Sequence, residues 1–468
     1  MAKSDNGRSW RLGQWGVVAA TAVAMLIADL PGQALPIGPV PAFADDDDDG
    51  GSAASGGGGE RSIMRMRRGN TGRFWRQLRR EFGFSRPRQR GRDHRRARRA
   101  ALPAALYQAD QIVAIGLTEP QLATLAAENY AIAQRQALTA LTGEIVKLRT
   151  PQGQSIEAAR ARVRSLAPQA VVDFNHVYAP SQGASCGGKP CVAPSLVGWP
   201  QQPGRCDGAG VTIGLIDTAI NPKHPTFARS KLEIIPLSQD KAEASGAQHG
   251  TAVASLLVGA GDAGTPGLLP GAQLIAVDAF RAAGRGQDQS ETYDLVRALD
   301  VLATRKVDVV NMSLAGPDNI VLGRVVDDMF GKGLILVAAA GNEGPKAPAV
   351  FPAAYPRVIA VTAIDRSKKP YRRANRGAHV DIAAPGVGVW AAASVAGARR
   401  KTGTSFAAPF VTAAVGLAKS AGVAAGEIEK RLSDAAEDLG DPGKDATFGW
   451  GLLNVRDVCP GEGAKEAP

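Results

Sequence analysis

GTSFAAP, at residues 403–409, opens a stretch that stays nonpolar almost all round through Ala418. A helix without a polar face has to be buried at the centre of a protein. Ser405 stands at its start, where a helix N-terminus favours negative charge on or near the hydroxyl oxygen. A plain N-cap role for this serine would explain neither Pro409 nor the Gly-Thr lead-in. We therefore interpret Ser405 as a candidate catalytic residue.

Apolar strand patterns alternate with helical patterns on the N-terminal side of this helix. The strand candidates are residues 211–216, 274–277, 307–312, 334–338 and 358–361, and residues 291–305 are one of the helical patterns between them. Continuous apolar strands that alternate with helices indicate a parallel sheet covered on both faces. The prediction is an α/β domain over residues 205–460.

Two further motifs lie at the ends of such elements, where an α/β sheet normally builds its site. Asp217 directly follows the first strand candidate, and His249-Gly250-Thr251 opens a run of small and apolar residues. Taken alone, the aspartate also fits a turn or a helix cap, and the histidine fits a satisfied surface residue. The order Asp, His, Ser along the chain is the order of the subtilisin triad. On these motifs, residues 206–453 resemble the subtilase family of serine peptidases.

Other segments agree with this resemblance and extend what it implies. Residues 310–314 resemble the family strand that pairs with substrate backbone, which implies substrate contacts for Ser313, Leu314, Ala315 and Gly316. Residues 340–344 resemble the turn that supplies the oxyanion-hole Asn342, and residues 384–386 resemble the Ala-Pro-Gly before the serine motif. The expected catalytic triad is therefore Asp217, His249 and Ser405.

The chain departs from the family pattern at two positions. Ala219 replaces the usual glycine after the Asp-Thr pair, so the backbone there has to avoid positive φ. Phe406 replaces the usual methionine after the serine, and we expect it to narrow the site. Neither change removes a reacting group. His176, His224 and His379 lack comparable neighbours, and we interpret them as structural.

Residues 105–180 predict a small domain of their own. Strand and helix signals follow the order β-α-β-β-α-β, and Thr118 with Gln121 and Ser155 are helix-capping signals. That order is the split, ferredoxin-like α+β arrangement. Its place before a peptidase resembles the inhibitory prodomain of subtilases, so the chain's own prodomain is an expected partner. Residues 181–204, rich in Gly, Pro, Ser and Cys, predict a linker.

The N-terminal residues 1–44 predict a signal peptide. A positive start precedes twelve mostly apolar residues, 17–28, and Ala42-Phe43-Ala44 offers small residues for cleavage. Twelve helical residues span about 18 Å, short of the roughly 30 Å of a hydrocarbon core, which disfavours a membrane anchor. The prediction is an exported protein, periplasmic or secreted.

The formal charge of +11 over 468 residues is localised in one arm. Residues 45–104 predict a disordered Asp/Gly linker and an Arg-rich arm, in which residues 61–100 carry sixteen arginines against two acids. We interpret the arm as part of a cleavable precursor segment. The alternative is contact with a polyanion or an anionic membrane face. No specific nucleic acid is expected.

Cys186, Cys191, Cys206 and Cys459 fit no zinc pattern. In an oxidising compartment they would form two disulfides. Three pairings are open; the close spacing of Cys186 and Cys191, and the position of the other two at the domain ends, favour Cys186–Cys191 with Cys206–Cys459. No other metal site is predicted and no cofactor is expected. The family resemblance leaves calcium open, but no carboxylate loop of recognisable spacing is present.

The predicted function is a secreted, self-processing serine endopeptidase that hydrolyses peptides or proteins through an acyl-enzyme. The competing class is a catalytically inactive subtilase-fold module that binds or chaperones other proteins. A lost triad member or a lost oxyanion asparagine would indicate it, and all four residues are present. An acid-active sedolisin-type peptidase would carry Glu where His249 stands. Residues 461–468 predict a short tail.

Overall fold

The computed structural model describes residues 106–180, 193–200, 207–237, 244–260, 264–284 and 287–456. We call residues 106–180 the small domain and residues 207–456 the large domain. The predicted signal peptide, the Arg-rich arm, all four cysteines and the C-terminal tail lie outside the described residues.

The small domain consists of one antiparallel sheet and two helices. Its elements are β1 (Tyr107–Ile115), α1 (Glu119–Ala127), β2 (Ala131–Ala137), β3 (Glu144–Arg149), α2 (Ile156–Leu166) and β4 (Val171–Pro180). The strands lie in the order β2-β3-β1-β4, and each neighbouring pair is antiparallel. The predicted ferredoxin-like arrangement is confirmed.

Side-chain alternation gives the small-domain sheet two buried faces. Ile112 and Ala114 of β1 pack in one core with α1 and α2, whereas Val113 between them joins a core of the large domain. The backbone N–H of Thr118 donates to Gln121 Oε1 at 2.9 Å, and Ser155 Oγ accepts the N–H of Ala158 at 3.2 Å, so both predicted capping residues start their helices.

The large domain follows a short helix, α3 (Ala193–Leu196). The strands that follow are β5 (Thr212–Asp217), β6 (Lys231–Pro236), β7 (Gln273–Asp278), β8 (Arg281–Ala282), β9 (Asp288–Glu291), β10 (Val309–Met312), β11 (Leu314–Ala315), β12 (Ile335–Ala339), β13 (Val358–Ile364), β14 (Ile382–Pro385), β15 (Val389–Ala392) and β16 (Ala398–Lys401). The helices are α4 (Gln248–Val258), α5 (Thr292–Thr304), α6 (Ile320–Gly331), α7 (Ala408–Ser420) and α8 (Ala425–Ala435), with 3₁₀ turns at Pro225–Phe227 and Thr404–Phe406.

Seven parallel strands form the central sheet, in the order β14-β13-β12-β10-β5-β7-β6. Helices α4 and α7 pack in the core on one face, and α5 and α6 pack in the core on the other. Helix α7 is buried from Ala408 to Ala418, as its all-round nonpolar pattern predicts. The α/β class with helices on both faces of a parallel sheet is therefore confirmed.

The two domains share one sheet. Strand β4 pairs with β1 inside the small domain and also antiparallel with β9 and β11 of the large domain. The small-domain sheet therefore continues as β2-β3-β1-β4-β9-β8, with β11 paired alongside β4. The sequence patterns do not predict this junction, because β8, β9 and β11 have only two to four residues each.

The region interpreted as a linker, residues 181–204, contains more structure than its composition suggests. Helix α3 lies within it, and the following Val197 and Trp199 are 1% and 5% exposed in the large-domain core. Trp199 Nε1 donates to the carbonyl oxygen of Leu268 at 3.1 Å. Across the described part of the chain, none of the helices combines the length and apolarity needed to cross a bilayer.

Candidate active site

Asp217 is the last residue of β5, which lies between β10 and β7 near the middle of the parallel sheet. Its side chain is buried. Oδ1 accepts the backbone N–H of Thr218 at 2.7 Å and lies 2.7 Å from Nδ1 of His249. Because a carboxylate oxygen accepts, the imidazole in this pair carries its proton on Nδ1.

His249 is the second residue of α4, and its imidazole is buried. The start of this helix approaches the end of β5 closely, since a Cβ at Gly250 would stand 2.3 Å from the carbonyl oxygen of Thr218. Gly250 also donates its N–H to Thr218 Oγ1 at 3.0 Å. Glycine after the histidine is therefore what lets His249 reach Asp217.

The second imidazole nitrogen, Nε2 of His249, is buried and has no hydrogen-bond partner among the residues the structure describes. With the proton on Nδ1, Nε2 carries the lone pair of the neutral ring. The Phe406 ring lies 5.5 Å from the imidazole, centroid to centroid. The residue that replaces the family methionine thus packs against the catalytic-histidine candidate.

Ser405 lies in the 3₁₀ turn Thr404–Phe406 directly before α7 and is fully buried. Its carbonyl oxygen accepts the hydroxyl of Ser313 at 3.0 Å. Ser313 is held in turn by Asn311 Nδ2 at 2.9 Å, and Asn311 Oδ1 accepts the hydroxyl of Thr412 at 2.9 Å. A buried chain of hydrogen bonds thus ties the turn to β10 and α7.

Asn342 lies in the turn after β12 and is buried. Its Oδ1 accepts two hydrogen bonds from Thr404, one from the backbone N–H and one from the hydroxyl. Because Oδ1 of the amide faces Thr404, the Nδ2 donor lies on the side of the amide that points away from Thr404. The oxyanion candidate is therefore joined to the residue immediately before Ser405.

The predicted substrate-contact residues lie along the end of the small domain. In the β4–β11 pair, Leu314 is opposite Pro180 and Ala315 is opposite Ala179. Gly316 follows, and a Cβ there would lie 2.2 Å from the Tyr178 ring, so glycine leaves room for that fully buried side chain. The last residues of the small domain occupy the position that the family resemblance assigns to substrate backbone.

Asp300 on α5 binds the loop between β2 and β3. Its carboxylate accepts the backbone N–H groups of Thr139, Ala140 and Leu141 at 2.8, 2.6 and 3.0 Å. Hydrogen bonds to an ionised acceptor are stronger than neutral ones, and here one side chain satisfies three donors.

Glu291, at the end of β9, is a second large-domain residue that binds the small domain. Its carboxylate accepts Lys147 Nζ at 3.0 Å and Asn175 Nδ2 at 2.6 Å, and it also pairs with Arg281. Lys147 is buried at this contact, and burial lowers its pKa to about 8. Two small-domain side chains thus share one buried carboxylate of the large domain.

Asn319, the N-cap of α6, is the third large-domain residue that binds the small domain. Its Oδ1 accepts the N–H of Leu322 at 3.0 Å, while Nδ2 donates to the carbonyl oxygen of Phe174 at 3.0 Å and to Nδ1 of His176 at 2.7 Å. Both ends of the Asn319 amide are therefore hydrogen-bonded. Because Nδ1 of His176 accepts in this contact, it carries no proton.

The other two described histidines lie apart from these contacts. His224 caps the 3₁₀ turn Pro225–Phe227, with Nδ1 accepting the N–H of Thr226 at 3.1 Å and Nε2 lying 3.0 Å from the Gly397 carbonyl oxygen. Burial lowers the pKa of His379. Among the described residues no three or more His, Cys, Asp or Glu side chains group as metal ligands.

The backbone at Ala219 adopts the conformation that its side chain requires. The described non-glycine residues with positive φ are Asn129, Lys306 and Lys368, so Ala219 stays out of the left-handed region. Its N–H donates to Ser245 Oγ at 2.8 Å. The turn after Asp217 therefore forms without the family glycine.

Two residues near the site carry no role in the sequence interpretation. Thr404 is a polar residue beside Ser405 in the otherwise apolar GTSFAAP segment, and that position could have marked it. Asp278 ends β7 opposite Asp217. The sequence feature that could have marked it is the same one that marks Asp217, an aspartate at the end of an apolar strand.

Comparison with known proteins identifies the family. Residues 208–451 match the model of the subtilase family, peptidase S8. The chain belongs to the subtilase family and is a subtilisin-like serine endopeptidase.

Relatives of known name agree. The chain is 33% identical over 260 residues to subtilisin DY of Bacillus licheniformis, an alignment that covers 53% of this chain and 90% of that one. It is 32% identical over 257 residues to subtilisin E of Bacillus subtilis, covering 53% of this chain and 65% of that one. The crystal structure of fervidolysin from Fervidobacterium pennivorans has the same fold, with a TM-score of 0.65 at 20% identity over 77% of this chain and 62% of that one.

Proposed function

We propose that Asp217, His249 and Ser405 are the catalytic triad of this endopeptidase, and that the small domain is its inhibitory prodomain. The observation that carries the catalytic proposal is the buried Asp217–His249 pair at 2.7 Å, whose imidazole ring lies 5.5 Å from the ring of Phe406 in the turn that bears Ser405. Acyl transfer by a serine requires a carboxylate on one imidazole nitrogen and the serine hydroxyl within reach of the other.

Each residue has a separate task. Ser405 attacks the scissile carbonyl, and His249 Nε2 takes the hydroxyl proton because serine is a weak nucleophile at its free pKa. Asp217 holds the Nδ1–H tautomer and stabilises the imidazolium that forms. His249 then gives the proton to the leaving amine, and water repeats the sequence on the acyl-enzyme.

The tetrahedral oxyanion is stabilised by the Asn342 side-chain amide and the Ser405 backbone N–H. Two hydrogen bonds support this assignment: the backbone N–H and the hydroxyl of Thr404, the residue directly before Ser405, both donate to the carbonyl oxygen of the amide. Donors fixed before the reaction stabilise charge without reorganisation when it develops.

The prodomain proposal rests on β4. Its last residues pair with Leu314 and Ala315 as an extended antiparallel strand, which is how a peptide substrate adds to a sheet edge. Asp300, Glu291 and Asn319 hold the rest of the small domain to α5, β9 and α6. We infer that the chain is exported, cuts itself between residues 180 and 203, and remains inhibited until the small domain leaves.

A serine-directed phosphonylating probe tests the triad. We expect the self-processed protein to gain one probe mass, and Ser405→Ala to gain none and to hydrolyse no peptide. Ser420→Ala is a matched control, because Ser420 ends the same helix and its hydroxyl donates to the backbone carbonyl of Leu417. Undiminished hydrolysis by Ser405→Ala would refute the assignment.

Intact mass and N-terminal sequencing test self-processing separately. Wild-type chain should yield a product that begins between residues 181 and 203, whereas Ser405→Ala should stay full length. Mapping of the same unreduced sample tests the proposed Cys186–Cys191 and Cys206–Cys459 disulfides. A peptide joining Cys191 to Cys206, or four free thiols, would exclude that pairing.

A further inference from the structure

Asp278 is a second carboxylate at the edge of the sheet that carries Asp217. It is the last residue of β7, and the β5–β7 register places it opposite Asp217. Its side chain is half-buried, and Oδ1 accepts the Ser245 hydroxyl at 3.0 Å and the Phe280 N–H at 3.3 Å. The triad assignment leaves this group without a task.

Ser245 connects Asp278 to the backbone that follows Asp217. Its oxygen accepts the N–H of Ala219, two residues after Asp217, at 2.8 Å. Its proton goes to Asp278. Because serine has one hydroxyl proton, an acceptor-only carboxylate fixes the direction of both hydrogen bonds. Ser245 also lies four residues before His249, so its hydrogen bond to Ala219 links the segment after Asp217 to the segment that enters α4.

We propose that Asp278 is a positioning residue for the Asp217–His249 pair. This inference rests on the proposed triad and assigns a supporting role to a residue outside it. Asp278 fixes the Ser245 hydroxyl, and Ser245 then holds the turn after Asp217 against the chain entering α4. Proton transfer tolerates displacements of only a fraction of an ångström, so a loosened turn lowers turnover without removing a reacting group.

The surroundings of Asp278 are acidic. Asp217 faces it from β5 and Asp288 faces it from the start of β9. Leu237, which follows β6, carries no charge, and its backbone N–H donates to the Asp278 carbonyl oxygen. Arg281, three residues on, pairs with Glu291. Burial raises the pKa of Asp278 to about 6, the two acids act in the same direction, and the hydrogen bonds from Ser245 and Phe280 oppose them. Above that pH the group is an acceptor only; below it, a protonated carboxyl competes as a donor.

Steady-state kinetics of the self-processed enzyme across the acid and neutral range test this role. We expect Asp278→Ala to lower kcat about tenfold near pH 8 with KM unchanged. Asp278→Asn keeps an acceptor oxygen, so it should recover most of that loss. As the pH falls through about 6, the ratio of wild-type kcat/KM to that of Asp278→Asn should fall, by no more than the tenfold loss expected of Asp278→Ala, because only the wild-type side chain is protonated there.

Melting temperature separates positioning from stability. Because the pKa of Asp278 is raised in the folded state, ionisation of this group destabilises the fold at pH values above that pKa. Asp278→Asn should therefore melt at a higher temperature than wild type near pH 8. Its kcat should not exceed the wild-type value. Asp308→Asn is the matched control, because Asp308 accepts the Thr212 N–H at the opposite end of β5. It should leave the pH profile unchanged.

A kcat of Asp278→Ala within about twofold of wild type, or a ratio of wild-type to Asp278→Asn kcat/KM that does not change with pH, would overturn the proposal. Either result alongside an inactive Ser405→Ala removes only the role of Asp278. An active Ser405→Ala removes the triad itself.

Discussion

Thr404 donates both its backbone N–H and its hydroxyl to Oδ1 of Asn342, at 3.0 and 3.1 Å. The same hydroxyl oxygen accepts the N–H of Gly341 at 3.2 Å. An amide held through its oxygen presents its nitrogen as a donor in one fixed orientation. The turn that bears the proposed nucleophile therefore also orients the proposed oxyanion donor.

Removing the Thr404 hydroxyl should slow turnover more than it affects binding. We expect Thr404→Val to lower kcat about tenfold with little change in KM, because the amide is held by one hydrogen bond instead of two. Thr404→Ser keeps the hydroxyl and should stay near wild type. Equal losses in both variants would mean that the methyl group, not the hydrogen bond, matters.

Asn342→Ala removes the proposed side-chain oxyanion donor. We expect kcat to fall by about 10²–10³, the magnitude known for the corresponding asparagine of subtilisin, with KM nearly unchanged. Phosphonylation by the serine-directed probe should slow but still reach completion. A variant with wild-type kcat would show that Asn342 does not meet the oxyanion.

Asp300→Ala tests the docking of the small domain. Loss of one carboxylate leaves three backbone N–H groups unpaired at the interface, so the inhibition constant of the released small domain should rise about a hundredfold. Peptide hydrolysis by the mature enzyme should not change. Asp328→Ala is the control, since Asp328 pairs with Arg324 on the exposed face of α6; equal inhibition constants in both variants would contradict the assignment.

Inhibition by the small domain should weaken in acid. Burial lowers the pKa of His176 from its ordinary 6.5, while Asp173 and Asp318 oppose the shift and Arg160 adds to it. Nδ1 of His176 accepts the Asn319 amide across the interface only while it carries no proton, so docking should weaken as the pH falls through the lowered pKa.

His176→Gln should flatten this pH dependence, because glutamine offers Asn319 an acceptor that does not titrate. The measurement is the inhibition constant from neutral to mildly acidic pH, with the mature enzyme's own activity as reference. A wild-type constant that stays flat across this range would show that His176 does not govern docking.

Long periodic elements were predictable because local sequence determines them. The buried helix α7, the apolar β5 and the capped helices of the small domain follow from side-chain periodicity and end signals alone. The triad candidates followed from motif order, and the structure brings Asp217 and His249 into contact.

Elements created by tertiary pairing were not predictable. Strands β9 and β11 have four and two residues and form by pairing with other strands, β9 with β4 and β8 and β11 with β4. Asp278 and Ser245 are 33 residues apart and meet only because β7 lies next to β5. Helix α3 lies in a Gly- and Pro-rich region, and its order comes from the burial of Val197 and Trp199.

The sheet that runs from the small domain into β9 and β11 has a consequence for what the enzyme can digest. The proposed departure of the small domain would remove β4 and expose the backbone donors and acceptors of β9 and β11 that now pair with it. A substrate strand in the place of β4 would bind through main-chain hydrogen bonds, which every residue except proline can supply in full. We therefore expect selection to depend on conformation: a substrate has to present several residues in extended form, and compact regions should resist cleavage until they open locally.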